Sequence, residues 1–127
     1  MTPEINLPDV LAELTAVFAR YEDALVNNRI DVLDELFWPS EFTVRYGVGE
    51  NLRGIEAIRA FRLARPAAGL VRTLSHTVIT TYGRDFGTAM TEFQREGSSR
   101  SGRQSQTWVR FAEGWRVVAA HVSLIGP

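Results

Sequence analysis

Residues 43–54 read TVRYGVGENLRG, which predicts a short strand, a glycine-punctuated loop and the start of a helix. Alternation along the strand places Val44 and Tyr46 on one face and Arg45 on the other. A guanidinium inside a short apolar strand needs an anionic partner or water. Arg45 therefore either points outward to solvent or points into a cavity that accepts an anion.

The sequence after this stretch has the two-residue period and the Val, Ile and Thr content of long strands. Tight turns such as the one at Glu113-Gly114 separate these segments. Four consecutive strands joined by turns predict an antiparallel meander. The predicted strands cover residues 71–82, 88–96, 103–111 and 115–125.

Apolar side chains at helical spacing flank the opening stretch on both sides. A long amphipathic helix is predicted over residues 8–26, with Tyr21 on its apolar stripe. Asp31 is predicted to cap a short second helix, and a third helix begins after Gly54 and ends before Pro66. Helices followed by consecutive antiparallel strands predict the α+β class. A strongly curved sheet around the first helix would form a cone with an internal pocket.

The composition excludes several classes of function. We predict a single domain over residues 1–127, which is long enough to bury a core. The net charge of −1 provides no basic patch for nucleic acid, and no apolar run approaches the roughly 20 residues of a membrane span. Without cysteine, disulfides and thiolate catalysis are excluded, and two histidines are too few for a typical zinc site. We expect a cytoplasmic protein that needs no metal or cofactor and binds neither nucleic acid nor membrane.

Several polar side chains occupy positions that otherwise have the pattern of buried residues. A cavity lined by an arginine, a tyrosine, an amide or two and a histidine fits a small carboxylate, held by the arginine in a bidentate fork. The tyrosine hydroxyl could donate to a carbonyl oxygen, or act as a base if the arginine charge favours its phenolate. Each position is also compatible with a structural role alone. The residues are Tyr21, Arg45, Gln104, Gln106, His121 and Ser123.

Four blocks of the sequence resemble the AtzH-like family, a subgroup of the SnoaL/NTF2-like superfamily. The blocks are TVRYGVGENLRG at 43–54, IRAFRLARP at 58–66, GRQSQTWV at 102–109 and GWRVVAAHVS at 114–123. The resemblance covers nearly the whole chain. It implies the cone-shaped NTF2-like fold and a homodimer that packs through the sheet. It also implies that the catalytic tyrosine and arginine of the family correspond to Tyr21 and Arg45.

The same resemblance implies a metal-independent, decarboxylating amidohydrolase that acts on a small N-carboxylated urea or related amide in nitrogen-compound catabolism. From strand faces and helix ends we add Arg65, Gln106, His121 and Ser123 as predicted substrate-binding residues. One alternative is a protein that binds a small carboxylate without reacting, or that supports a partner amidase. Another is a structural dimer whose own side chains fill the pocket.

Overall fold

The computed structural model describes residues 2–126, so Met1 and Pro127 of the predicted 1–127 domain lie outside the described residues. In this described part of the chain, three helices accompany six strands. The helices are α1 (Pro8–Val26), α2 (Ile30–Leu36) and α3 (Ile55–Ala64). The strands are β1 (Val44–Tyr46), β2 (Asn51–Arg53), β3 (Arg72–Tyr82), β4 (Phe86–Arg95), β5 (Ser101–Phe111) and β6 (Gly114–Ile125).

Helix α1 has the bounds that its apolar stripe predicts. Pro8 lies in the first turn, where its missing N–H costs no hydrogen bond. The stripe then buries Val10, Leu14, Phe18 and Tyr21 against the sheet. No helix among the described residues is long and apolar enough to cross a membrane.

The predicted N-cap of α2 is wrong. The helix begins at Ile30 with Arg29 at the cap position, and no side chain caps it. Asp31 therefore lies inside the first turn, where its carboxylate interacts favourably with the positive end of the helix dipole.

The six strands form one curved sheet in the order β2-β1-β6-β5-β4-β3. Strands β3 to β6 form the predicted antiparallel meander. Strand β1 pairs in parallel with β6, which places Arg45 opposite Ala120. Strand β2 occupies part of the segment predicted as a loop, and it pairs antiparallel with β1. The sequence pattern did not predict this strand, because it has only three residues and follows a turn that contains two glycines.

A β-bulge in β6 decides which side chains face inward. Trp108 pairs with Val117 and Thr107 with Ala119, so Val118 is an extra residue without a partner. We call the sheet face that packs on the helices the concave face and the opposite one the convex face. The extra residue reverses the alternation of the strand beyond it, so Val117 and Val122 both lie on the concave face.

An uninterrupted period of two along β6 would place Trp115, Val117, Ala119, His121 and Ser123 on one face, and the structure does not have this arrangement. Trp115 and Val117 are buried on the concave face, whereas the other three lie on the convex face. An uninterrupted period of two cannot be extended through a bulge.

Candidate functional site

A cavity of about 250 Å³ lies between α1, β1, the end of α3 and the concave face of the sheet. Its polar lining contains four arginines, one carboxylate, one tyrosine and one amide. These residues are Tyr21, Arg45, Glu50, Arg65, Arg72, Arg95 and Gln104. Apolar side chains close the remaining wall, among them Leu25, Phe61, Leu70 and Val122. Such a lining suits a small anionic molecule.

Tyr21 reaches this cavity from α1. Its side chain is only 4% exposed, and its ring packs edge-on against Trp108, with ring centres 6.3 Å apart. Phe37 contacts the ring at a tilt, with a centre-to-centre distance of 6.2 Å. These contacts hold the phenol in one orientation, so the core packing of Tyr21 also positions its hydroxyl.

Arg45 enters the cavity from β1. Its neighbours in the strand, Val44 and Tyr46, align with Ala119 and His121 of the convex face, whereas Arg45 aligns with the buried Ala120. The guanidinium carbon lies 5.6 Å from the centre of the Phe61 ring. Of the two orientations that the sequence allowed, the structure therefore has the one directed into the cavity.

Arg65 follows directly after α3 and flanks the same aromatic ring as Arg45. Its guanidinium carbon is 6.0 Å from the Phe61 ring centre. Its Nε and Nη2 atoms are buried and have no hydrogen-bond partner among residues 2–126. Burial lowers the pKa of Arg65, and the nearby charge of Arg45 lowers it further. A desolvated guanidinium with unused donors is a binding element for an anion.

Arg72 differs from the other arginines because it already has a carboxylate. Its Nε and Nη2 donate to the two carboxylate oxygens of Glu22 at 2.9 and 2.7 Å, and Nη2 also donates to Gln104 Oε1 at 3.0 Å. Arg95 pairs across the sheet with Arg72 in the strand register. Burial lowers the pKa of Arg95, followed by the charges of Arg72 and Arg45.

The cavity thus has more positive than negative charge. Glu22 neutralises Arg72, and Glu50 contacts Arg45 at a single distance of 3.5 Å. Among the described residues, no acidic side chain forms an ion pair with Arg65 or Arg95. Within the same part of the chain, no three His, Cys, Asp or Glu side chains cluster as metal ligands would.

The AtzH-like family model matches residues 3–127. The chain belongs to the AtzH-like family. A solved DUF3225-family protein of Pectobacterium atrosepticum is 66% identical to it, covers 96% of this chain and 95% of its own, and superposes with a TM-score of 0.95. A cystatin-like fold protein of Burkholderia xenovorans is 48% identical over 98% of both chains, with a TM-score of 0.94. No curated protein matches the sequence significantly.

More distant structures support the fold alone. An NTF2-like superfamily protein of Salmonella enterica is 24% identical, covers 94% of this chain and 93% of its own, and has a TM-score of 0.76. The AtzH-like chain therefore has the predicted α+β, NTF2-like cone, a strongly curved and mostly antiparallel sheet wrapped around helices.

The structure brings together four of the residues predicted for the site of this AtzH-like protein, namely Tyr21, Arg45, Arg65 and Gln104. Gln106, predicted to bind substrate, is buried on the concave face and does not line the cavity. Its Oε1 accepts a hydrogen bond from Trp108 Nε1 at 3.1 Å, and its Nε2 is buried without a partner among residues 2–126.

The prediction that His121 and Ser123 line the substrate cavity is wrong. Both line a separate groove on the convex face, because the bulge in β6 turns them away from the helices. The His121 ring packs edge-on against Tyr46, with ring centres 6.0 Å apart.

Glu50, Arg72 and Arg95 line the cavity but were not predicted as site residues. Arg72 and Arg95 stand at opposite ends of one hairpin in sequence, and only the register of β3 against β4 brings them together. Glu50 lies in the turn between β1 and β2, so its inward direction depends on a hairpin that the sequence pattern did not predict. The sequence did single out one neighbour of these residues. Gln104 shares the buried pattern of Trp108, and in the structure it accepts a hydrogen bond from Arg72.

Proposed function

We propose that this AtzH-like protein is a metal-independent, decarboxylating hydrolase of a small N-carboxylated urea with two anionic groups. One observation carries the proposal. A fixed tyrosine shares a small cavity with four arginines. Arg72 is paired with Glu22, Arg45 has one loose carboxylate contact, and Arg65 and Arg95 have no acidic partner among residues 2–126. Two further anionic charges would balance the site.

The arginines supply binding and orientation. Arg45 and Arg65 flank the Phe61 ring from positions where their donors can reach a ligand between them. A carboxylate accepts two parallel N–H bonds from one guanidinium, which fixes its plane as well as its place. With the second anionic group held by another arginine, the central urea would lie against Tyr21.

The tyrosine supplies the proton that decarboxylation needs. When the bond between nitrogen and the carboxylate carbon breaks, its electron pair stays on nitrogen and carbon dioxide leaves. The Tyr21 hydroxyl donates its proton to that nitrogen, which gains one hydrogen. The phenolate recovers a proton from water, and the hydroxide left behind combines with the released carbon dioxide as bicarbonate. Amide hydrolysis in the same site would consume one water and release ammonia.

The proposal is tested by measuring carbon dioxide and ammonia released by the purified protein from small carboxylated ureas. Arg45→Ala is expected to lower turnover about 10- to 100-fold, because a charge-assisted hydrogen bond to the substrate is lost. Arg53→Ala is the matched control, since Arg53 is exposed on β2 and does not line the cavity.

Equal activity of Arg45→Ala and the unchanged protein would contradict the proposed role of the arginine. Turnover that requires an added amidase, in place of turnover by the protein alone, would instead identify a carboxylate-binding accessory protein.

We also propose that a second copy of the chain covers the convex face. The strand register aligns one row of side chains across five strands of this face, and several of them are large, apolar and exposed. The row consists of Tyr46, His121, Ser105, Met90 and Val78, of which Val78 is 57% and Met90 47% exposed. An exposed row that carries large apolar side chains favours isologous packing of two sheets.

Met90→Glu is expected to convert a dimer to a monomer, because it would bury two symmetry-related charges in the interface. Light scattering coupled to gel filtration measures the mass. Leu63→Glu is the control, since Leu63 is 73% exposed on α3, outside the convex face. A monomeric unchanged protein, or a dimer that tolerates Met90→Glu, would refute this assembly.

A further inference from the structure

Among residues 2–126, Glu50 is the one acidic side chain that lines the cavity. It lies in the turn between β1 and β2, and its carboxylate folds back toward β1. Oε2 is 3.5 Å from Arg45 Nη1, while Oε1 accepts a hydrogen bond from the backbone N–H of Gly49 at 3.3 Å. The carboxylate therefore occupies the part of the cavity that faces the predicted anion-binding arginine.

This contact is loose in comparison with the other ion pair of the site. Glu22 and Arg72 share two hydrogen bonds of 2.7 and 2.9 Å, whereas Glu50 and Arg45 share one contact at the limit of hydrogen bonding. The Glu50 charge also favours the protonated form of Arg95. One loosely held carboxylate thus contacts Arg45 and shares the cavity with Arg95, as an anionic group of a ligand would.

The backbone of the turn leaves room for this inward conformation. A Cβ atom on Gly47 would lie 1.9 Å from Glu50 Oε2, so any other residue at position 47 would push the carboxylate away. The N–H of Gly47 donates to the carbonyl oxygen of Glu50 at 2.9 Å and closes the turn. The turn is therefore shaped to hold the Glu50 carboxylate over Arg45.

We propose that Glu50 is an internal competitor, whose carboxylate occupies Arg45 in the empty protein and is displaced by an anionic group of the substrate. The inference rests on the proposed function in one respect, that the substrate anion binds at Arg45. Displacement costs every ligand the same free energy. A ligand that contacts only Arg45 loses much of its binding free energy to this displacement and binds weakly. A ligand that also contacts Arg65 or Arg95 gains enough from those contacts to bind.

The experiment compares Glu50→Asp and Glu50→Gln with the unchanged protein in calorimetric titrations with malonate and acetate. Asp keeps the charge, but its side chain is one methylene shorter and cannot span the distance to Arg45. We expect both variants to bind both probes about three- to tenfold more tightly. The gain should be equal for the two probes, because the same internal contact is released in each case. Glu56→Gln is the control, since its side chain is 89% exposed on α3.

Long-range repulsion by the Glu50 charge would give a different result. It would act more strongly on malonate than on acetate, and it would be relieved by Glu50→Gln but not by Glu50→Asp. That outcome overturns the inference, as does weaker binding in both variants, which would make Glu50 a support for Arg45. Thermal unfolding of each variant shows whether the fold is retained.

The same titrations separate this inference from the proposed function. If malonate binding is lost in Arg45→Ala but unchanged in both Glu50 variants, the cavity is an anion site and Glu50 is not a competitor. If no form of the protein binds malonate, both the competitor role and the anion site are refuted.

Discussion

Tyr21→Phe is expected to lower the turnover of an N-carboxylated urea by about 10²- to 10⁴-fold, the usual contribution of a positioned general acid. The variant loses one oxygen and keeps the ring that packs against Trp108 and Phe37. The melting temperature should therefore change little. Steady-state release of carbon dioxide, measured beside thermal unfolding, checks both parts of the expectation.

Tyr46→Phe is the matched control for this substitution. It removes the same oxygen from a side chain on the convex face, where Tyr46 contacts His121 and does not line the cavity. Near-normal turnover in Tyr21→Phe would leave the arginines as a binding site and remove the tyrosine from the chemistry.

Asp34→Ala is expected to destabilise the fold by about 3 kcal/mol, because it leaves a buried guanidinium without its carboxylate. Arg62 is 3% exposed, donates from Nη1 to Asp34 Oδ1 at 3.1 Å and stacks on Phe37 at 4.1 Å. Burial lowers the pKa of Arg62, while interactions with Tyr21 and then Asp34 act in the opposite direction. Urea denaturation measures the loss in free energy of unfolding.

Asp31→Ala on the same helix provides the control, because Asp31 is exposed in the first turn of α2. This variant should lose no more than about 1 kcal/mol in free energy of unfolding. Adding Arg62→Met to Asp34→Ala should restore part of the stability, because the unpaired charge is removed together with its partner. A double variant no more stable than Asp34→Ala would show that Arg62 stabilises the core mainly through its packing on Phe37.

Local patterns in the sequence were sufficient to predict α1 and β1, the two elements that contain the catalytic candidates Tyr21 and Arg45. The apolar stripe of α1 placed Tyr21 toward the sheet, and the alternation of Val44, Arg45 and Tyr46 separated the arginine from its neighbours. The family resemblance, confirmed over residues 3–127, distinguished the cavity orientation of Arg45 from the solvent orientation. The catalytic roles of Tyr21 and Arg45 stay predictions.

The remaining part of the site depends on pairing between distant strands, which a local pattern does not contain. The bulge at Val118 arises from the register of β6 against β5, and it carries His121 and Ser123 to the convex face. Arg72 and Arg95 meet only because their strands align. Single-strand periodicity describes a face of one strand and contains no information on register.

The parallel pairing of β1 with β6 has a consequence for folding. Arg45 and its partner Ala120 are separated by more than half the chain, so closing this contact carries a large entropic cost and belongs to the late stages of folding. The meander of β3 to β6 is connected by short turns and can form first. A partly folded chain would therefore have a sheet before it has an anion site. Ligand binding would then report completion of the native structure, and anions would stabilise only the fully folded molecule.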